Sequence, residues 1–332
     1  MKIAHWCTSI AGMSGLTHRV REILTIEKEL EQDARVLSTS FKDGKTENGY
    51  TFEPWSWAIE QADINIIDSH VPTIFDQLKN RVFITHGAPY HCVLSEMFGQ
   101  KTPFMTSIIM VQQCELTITW NPHHAPVWKE FGGNVKTIIG GVDLQKWHVE
   151  GNKVTFNSHP VVLVLDTPRD NKLPTQMLFA TSMAHRKMPD LRLEWIAIPK
   201  NMFSFWYGIA QGIGIDVFTH MTASAVMDPD SFYRGGDMVI HPVTGGSIGG
   251  VGMEALACGC SVIIFEGEDE KVATEKCKEY DPESMRDAIF RIWDKTVSDP
   301  EGLRISNRKI AEKYYDLRRT VGEMVKAYEE LL

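Results

Sequence analysis

The sequence predicts an α/β protein of two parallel sheets, each covered by helices. Three observations predict it. Short apolar runs alternate with stretches of helical period along the whole chain, the pattern of parallel strands joined by crossover helices. The run "VVLVLD" (161–166) is apolar at successive positions, as expected for a strand buried on both faces. Between the two alternating halves lies "GGVDLQKWHVEGNKVTFNSHP", polar, rich in turn formers and without a period, which puts a domain boundary near residue 150. With 332 residues, 43% of them hydrophobic, the chain can fill two cores.

The expected strands of the first half are "KIAHWCT", "ARVLSTS", "INIIDSH", "RVFITHG", "LTITWN" and "VKTIIGG". The segment "THRVREILTIEKEL" between the first two is helical, with Val20, Ile23, Leu24 and Leu30 on one side. The second half restarts with "VVLVLD". A helix over "KLPTQMLFATSMAHRK" follows, then the strand "LRLEWIAI", a weaker strand "IDVFTH", and "DMVIHPVTGGSIGGVGMEALACGCSVIIF". That last stretch reads strand, glycine loop, short helix, strand. The tail from Ser306 is one or two amphipathic helices, with Ile310, Tyr314, Leu317, Val321, Met324, Tyr328 and Leu331 recurring at three- and four-residue steps. Two Rossmann-like domains result, with ligands expected at the carboxyl ends of the strands.

Composition removes several classes of function. A net charge of −9 gives no overall attraction for nucleic acid, although a local basic groove stays open. The six cysteines are thinly spread and form no Cys-x-x-Cys pair, which suits buried thiols in a reducing compartment; Cys258 and Cys260 around Gly259 make a poor chelate, so no metal site is expected. No apolar leader follows Met1, and no apolar run approaches the ~18 residues of a membrane span, so a soluble cytoplasmic protein is expected.

The candidate site residues lie in loops after strands. In "GGSIGG", Gly246, Ser247, Ile248 and Gly249 precede a helix. Glycines let backbone approach a ligand, and a helix N-terminus offers free N–H groups, so a phosphate suits the loop; a tight turn suits it equally. Neither the dinucleotide fingerprint nor a Walker loop is present. Glu254, on that helix, suits a capping role or acceptance of hydrogen bonds from sugar hydroxyls. Gly12 and Gly15 form a second glycine loop before a helix, for which a plain turn is the simpler reading. His86 ends an apolar strand, where a histidine bonds a substrate hydroxyl, moves a proton or simply supports the fold. Arg169 and Lys172 follow "VVLVLD" and could neutralise a diphosphate or serve as solvated charge. "DPD" (228–230) reads as turn or capping chemistry, and His91, His123 and His124 lack a chelating spacing.

Taken in order, these pieces resemble the family 4 retaining glycosyltransferases of the GT-B fold, over nearly the whole chain. "CELTITWNPHHAPVWKEFGGNVKTIIGGVDLQKW" is similar to the family segment ending in a Gly-Val-Asp turn, here Gly141, Val142 and Asp143. "YRGGDMVIHPVTGGSIGGVGMEALACGCSVIIF" is similar to its donor-nucleotide segment, with Glu254 to Gly259 matching the family's "EAmacG". The family has a second acid eight residues earlier, where this chain carries Gly246. Its Gly-Arg-x4-Lys-Gly is here Pro168-Arg169-Asp170-Asn171-Lys172-Leu173, and Trp120-Asn121 stands where it has a serine.

The resemblance implies two Rossmann-like domains, residues 1–150 for the acceptor and 151–310 for the donor, with a helix over 311–332 crossing back to the first. It implies transfer of a sugar from a UDP- or GDP-sugar to an acceptor hydroxyl, with retention of anomeric configuration and no obligatory metal or other cofactor. Gly15 would approach the donor phosphates and His86 the donor sugar. Arg169 and Lys172 would neutralise the leaving diphosphate, Glu254 would bond the ribose, and backbone N–H groups at Ser247, Ile248 and Gly249 would meet sugar or phosphate. At Gly246, either backbone groups with Thr244 or Ser247 replace the missing acid, or the pocket takes an unusual sugar. The acceptor class spans a glycan, a small molecule and a hydroxymethylated DNA base, as used by phage DNA glycosyltransferases. "EPWSW" and "APYHC" offer aromatic faces for it, or for core packing. Two other classes fit the same plan: a non-catalytic nucleotide-sugar-binding protein, favoured by Gly246, and a nucleotide-sugar epimerase.

Overall fold

A computed structural model describes residues 1–7, 15–47, 50–68, 71–85, 104–165, 167–168, 172–223, 228–241, 243–244, 248–267 and 273–332. The chain folds as two compact units, Met1–Gly141 with Leu317–Leu332, and Val142–Asp316.

The first unit holds an eight-stranded sheet in the order β3-β4-β2-β1-β5-β6-β7-β8. Its strands are β1 (Lys2–Cys7), β2 (Asp33–Ser38), β3 (Lys45–Glu47), β4 (Tyr50–Glu53), β5 (Ile64–Ile67), β6 (Arg81–Thr85), β7 (Leu116–Thr119) and β8 (Val135–Thr137). Every pair is parallel except β3 with β4. That hairpin is absent from the expected strands, although Asn48-Gly49 between "KTE" and "YTFE" is the strongest short-range hairpin signal a sequence carries.

Strand alternation sends Ile3, Ile64, Ile66, Val82, Ile84 and Ile118 to one face and Ala4, Trp6, Leu37, Ile67 and Phe83 to the other. The first face is covered by α1 (Gly15–Glu29) through Val20, Ile23 and Leu24. Leu30, expected on the same stripe, lies beyond the helix end and is exposed. The other face packs against α2 (Trp55–Gln61), α3 (Phe104–Gln113) and α4 (His124–Glu130). Trp57 of "EPWSW" is therefore a core residue, while the Trp55 indole N–H donates to the Ser38 carbonyl at 2.6 Å. "APYHC" lies outside the described residues.

The second unit holds six parallel strands: β9 (Val161–Val164), β10 (Arg192–Ile196), β11 (Thr219–Thr222), β12 (Met238–Ile240), β13 (Ser261–Phe265) and β14 (Glu275–Cys277). The order β11-β10-β9-β12-β13-β14 is the doubly wound 3-2-1-4-5-6 arrangement, which reverses direction between β9 and β12. Its helices are α5 (Pro174–His185), α6 (Lys200–Gly212), α7 (Pro229–Gly235), α8 (Gly249–Ala257), α9 (Pro282–Ser298) and α10 (Pro300–Tyr314). Helix α6 is absent from the expected elements; in it Trp206 and Ala210 are buried, while Phe205 and Tyr207 are exposed. In "DPD", Asp228 occupies the cap position of α7 and its carbonyl accepts from the Ser231 hydroxyl, a local structural role.

The amphipathic tail is two helices. The break falls at Tyr315-Asp316, where Asp316 bridges in parallel to Val142 and the Val142 N–H donates to the Tyr315 carbonyl. Beyond it α11 (Leu317–Glu329) joins the first unit. Leu317, Val321, Met324 and Tyr328 enter the core beside α1, and the Thr320 hydroxyl donates to the Ile139 carbonyl at 2.7 Å. The final helix thus returns to the N-terminal sheet. The segment after Val142 stays with the second unit because the Arg308 guanidinium donates to the carbonyls of Trp147 and Leu144, at 2.6 and 3.1 Å, as well as to Ala257 at the end of α8.

The first unit also buries a charged cluster. His5 on β1 lies 2.7 Å from Glu27 of α1 and 3.6 Å from Asp68 after β5, all three with fully buried side chains. Burial pulls the imidazole toward neutrality, but the carboxylates of Glu27 and Asp68 outweigh it and raise its pKa from 6.5 to about 10. His5 is therefore a cation at neutral pH. No helix among the described residues is long and apolar enough to cross a membrane.

Candidate functional site

In a doubly wound sheet the loops leaving two neighbouring strands in opposite directions open a crevice at the strands' carboxyl ends. In the second unit those strands are β9 and β12, both buried along their length. Lys172 lies in the connection leaving β9, just before α5; Leu173 between them is left-handed (φ 39°), and Pro174 opens the helix at a position that needs no N–H donor. Thr167, Pro168, Lys172, Trp195 and Ile240 line a small hollow there.

His241 follows β12 directly. Its N–H donates to the Ile263 carbonyl at 3.0 Å, continuing the ladder, and the residue is buried. Its Nε2 lies 3.2 Å from Lys172 Nζ. An ammonium only donates, so in this contact Nε2 is the acceptor. Gly249, the first residue of α8, approaches the same ring nitrogen. Its φ is +59°, and a Cβ there would stand 2.5 Å from His241 Nε2. Glycine is required on both counts: the left-handed backbone and the close approach. The chain thus brings a lysine ammonium and the positive end of a helix to one imidazole nitrogen, an arrangement suited to an anion.

Ile248 is buried and packs over Gly252, where a Cβ would meet its Cγ1 at 2.6 Å. It anchors the start of α8, so of this residue only the backbone suits a ligand. Glu254 lies farther along α8 and is half-buried; the Tyr233 hydroxyl donates to its Oε2 at 3.2 Å. Burial, then the neighbouring Glu254 carboxylate, pushes the Tyr233 phenol well above its usual range, so it stays a donor. Cys258, buried at the end of the same helix, is pushed up to about 12 by burial and is an inert packing thiol. Among the described residues no group of His, Cys, Asp and Glu is placed to hold a metal ion.

Of the residues singled out in the sequence, Lys172, Ile248, Gly249 and Glu254 fall in this part of the second unit, and Gly15 opens α1 of the first. His86, Arg169, Gly246 and Ser247 lie outside the described residues. His241 and Tyr233 are additions from the structure. His241 carries the same strand-end signal as His86; nothing in "SFYRGGD" marks Tyr233.

A larger groove, about 490 Å³, lies between α1 and β4 of the first unit, lined by Arg21, Lys28, Arg35, Tyr50 and Glu53 among others. It borders the amino-terminal start of β2, away from the strand ends where such sheets bind ligands. Its Arg35 is already held between Asp33 and Glu53.

No protein-family model and no curated protein matches the chain. Solved structures do. It is similar to sucrose-phosphate synthase from Thermosynechococcus elongatus (13% identity, TM-score 0.76, covering 99% of this chain and 98% of that one). It is similar to Anabaena HepE in complex with UDP-glucose (13%, 0.72, 98% and 100%), and to WaaG, a glycosyltransferase involved in lipopolysaccharide biosynthesis (13%, 0.72, 99% and 99%). At such identities the likeness concerns the fold, and that fold, two parallel-sheet Rossmann-like units closed by a C-terminal helix returning to the first, is the GT-B fold of these glycosyltransferases.

Proposed function

We propose that the protein is a glycosyltransferase that takes a sugar from a nucleotide-sugar donor and moves it to an acceptor hydroxyl with retention of configuration. The observation that carries the reading is the convergence of Lys172, His241 and the glycine start of α8 at the carboxyl ends of β9 and β12. Solved structures of the same fold include one holding UDP-glucose. In this reading the acceptor oxygen bonds to the anomeric carbon as the bond from that carbon to the diphosphate oxygen breaks. Charge then builds on the diphosphate, and stabilising it is the main electrostatic demand. Lys172, Arg169 and the N–H groups at Ser247, Ile248 and Gly249 meet that demand, so no metal ion is required. A diphosphate oxygen takes the acceptor's proton. As the family resemblance implies, Gly15 admits the phosphates, His86 positions the sugar and Glu254 accepts from the ribose hydroxyls. The second unit is the donor domain and the first the acceptor domain.

A thermal-shift panel of UDP, GDP and their sugars tests the reading, since a ligand that binds only the folded chain raises its melting temperature. One nucleoside diphosphate is expected to do so, and its sugar conjugate to pass the sugar to a supplied acceptor with release of the nucleotide. Binding without turnover for every donor and acceptor would make the protein a non-catalytic binder instead. Glu254→Ala is expected to weaken that nucleotide by roughly 1–3 kcal/mol in isothermal titration, the range for a hydrogen bond to a charged group. Inorganic diphosphate should bind the variant as it binds the wild type, because Glu254 acts on the ribose.

A further inference from the structure

We propose that Tyr233 is a positioning residue for nucleotide recognition: its hydroxyl fixes the Glu254 carboxylate in the orientation that accepts the ribose diol. This rests on the donor-site reading of Glu254 above and adds to it a residue that touches no ligand.

The geometry separates what holds Tyr233 from what Tyr233 holds. Its ring is buried and packed against Trp147, with centroids 6.0 Å apart and planes at 57°. The next residue, Arg234, pins α7 in place: its guanidinium donates to the Asn152 carbonyl at 2.6 Å and the His148 carbonyl at 3.3 Å, and pairs with Asp230. The tyrosine is thus fixed by contacts that do not involve its hydroxyl. That hydroxyl then reaches 3.2 Å across to Oε2 of Glu254 on the neighbouring helix.

A glutamate has three rotatable side-chain bonds, and a ligand that had to immobilise it would lose affinity to that ordering. A hydrogen bond from a rigid donor contributes to that ordering in advance, and the phenol takes one of the roughly four lone-pair sites of a carboxylate. A vicinal diol, which presents two donors on adjacent carbons, matches a carboxylate held this way.

A buried tyrosine hydroxyl needs a partner in any case, so the test must separate aiming from mere satisfaction. Tyr233→Phe keeps the ring against Trp147 and removes only the oxygen. Binding of UDP, GDP and their 2′,3′-dideoxy counterparts would be measured by isothermal titration for the wild type, Tyr233→Phe and Glu254→Gln. The Tyr233→Phe variant is expected to bind the preferred ribonucleotide roughly five- to ten-fold more weakly, the size of one hydrogen bond. Its affinity for the dideoxy form should change less than about two-fold on the same scale. Equal weakening of both forms, or none of either, would overturn the proposal and leave Tyr233 a packing residue. Glu254→Gln distinguishes the two levels. If it loses the ribose preference while Tyr233→Phe keeps it, the donor site stands and the positioning role falls. If Glu254→Gln keeps the preference, Glu254 does not read the ribose and both fall.

Discussion

Replacing His5 with alanine is expected to destabilise the first unit by roughly 3–5 kcal/mol, the cost of breaking a buried ion pair and leaving its partner without a counter-charge. Glu27 and Asp68 flank His5 with fully buried side chains, and the cluster sits where β1, α1 and β5 meet under α11. The same cluster makes stability depend on pH. His5 has a raised pKa in the folded chain, so its contribution is complete below its unfolded value of 6.5 and is lost as pH rises through about 10. The protection of β1 and α11 amides, each rate taken relative to the intrinsic exchange rate at that pH, should fall across that window in the wild type. His5→Gln, which carries no titrating group there, should start less protected and change less with pH. Protection of β1 that stays level from pH 6.5 to 10 in the wild type would show that His5 is not held as a cation.

Lys172→Ala is expected to lower kcat about 10²–10³-fold, equivalent to about 3–4 kcal/mol, the range for removing one group that stabilises charge developing in a transition state. KM for the donor should move less, since the charge on the leaving diphosphate is largest at bond breaking. The lysine is not a loose surface cation: its ammonium lies 3.2 Å from a buried histidine that itself extends strand β12. Single-turnover measurement of nucleotide release under saturating donor checks this. Unchanged turnover with a weakened donor would assign Lys172 to ground-state binding alone.

Much of the fold was legible because the signals are local. "VVLV" and "SVIIF" announce strands buried on both faces, and the glycine stretch before Glu254 announces a close approach. The sequence could not say what approaches Gly249. The answer, the Nε2 of His241, depends on the start of α8 lying against the residue that follows β12, and that nitrogen also meets Lys172, 69 residues away in the chain. Tyr233 is invisible in the sequence for a similar reason: its importance lies in which helix its hydroxyl reaches, and "SFYRGGD" reads as an ordinary helix end. The β3–β4 hairpin is a different kind of omission. Its Asn-Gly signal is present, but two short strands with exposed positions give no apolar run to notice.

Binding of a nucleoside diphosphate at the carboxyl ends of β9 and β12 is the central claim. The first N–H groups of a helix have no intrahelical acceptor, so a bound phosphate should slow their exchange measurably. Hydrogen–deuterium exchange with and without saturating UDP or GDP tests this directly. The predicted result is protection at the start of α8 and in the connection from β9 to α5. Protection confined to the α1–β4 groove of the first unit, or none with either nucleotide, would contradict it.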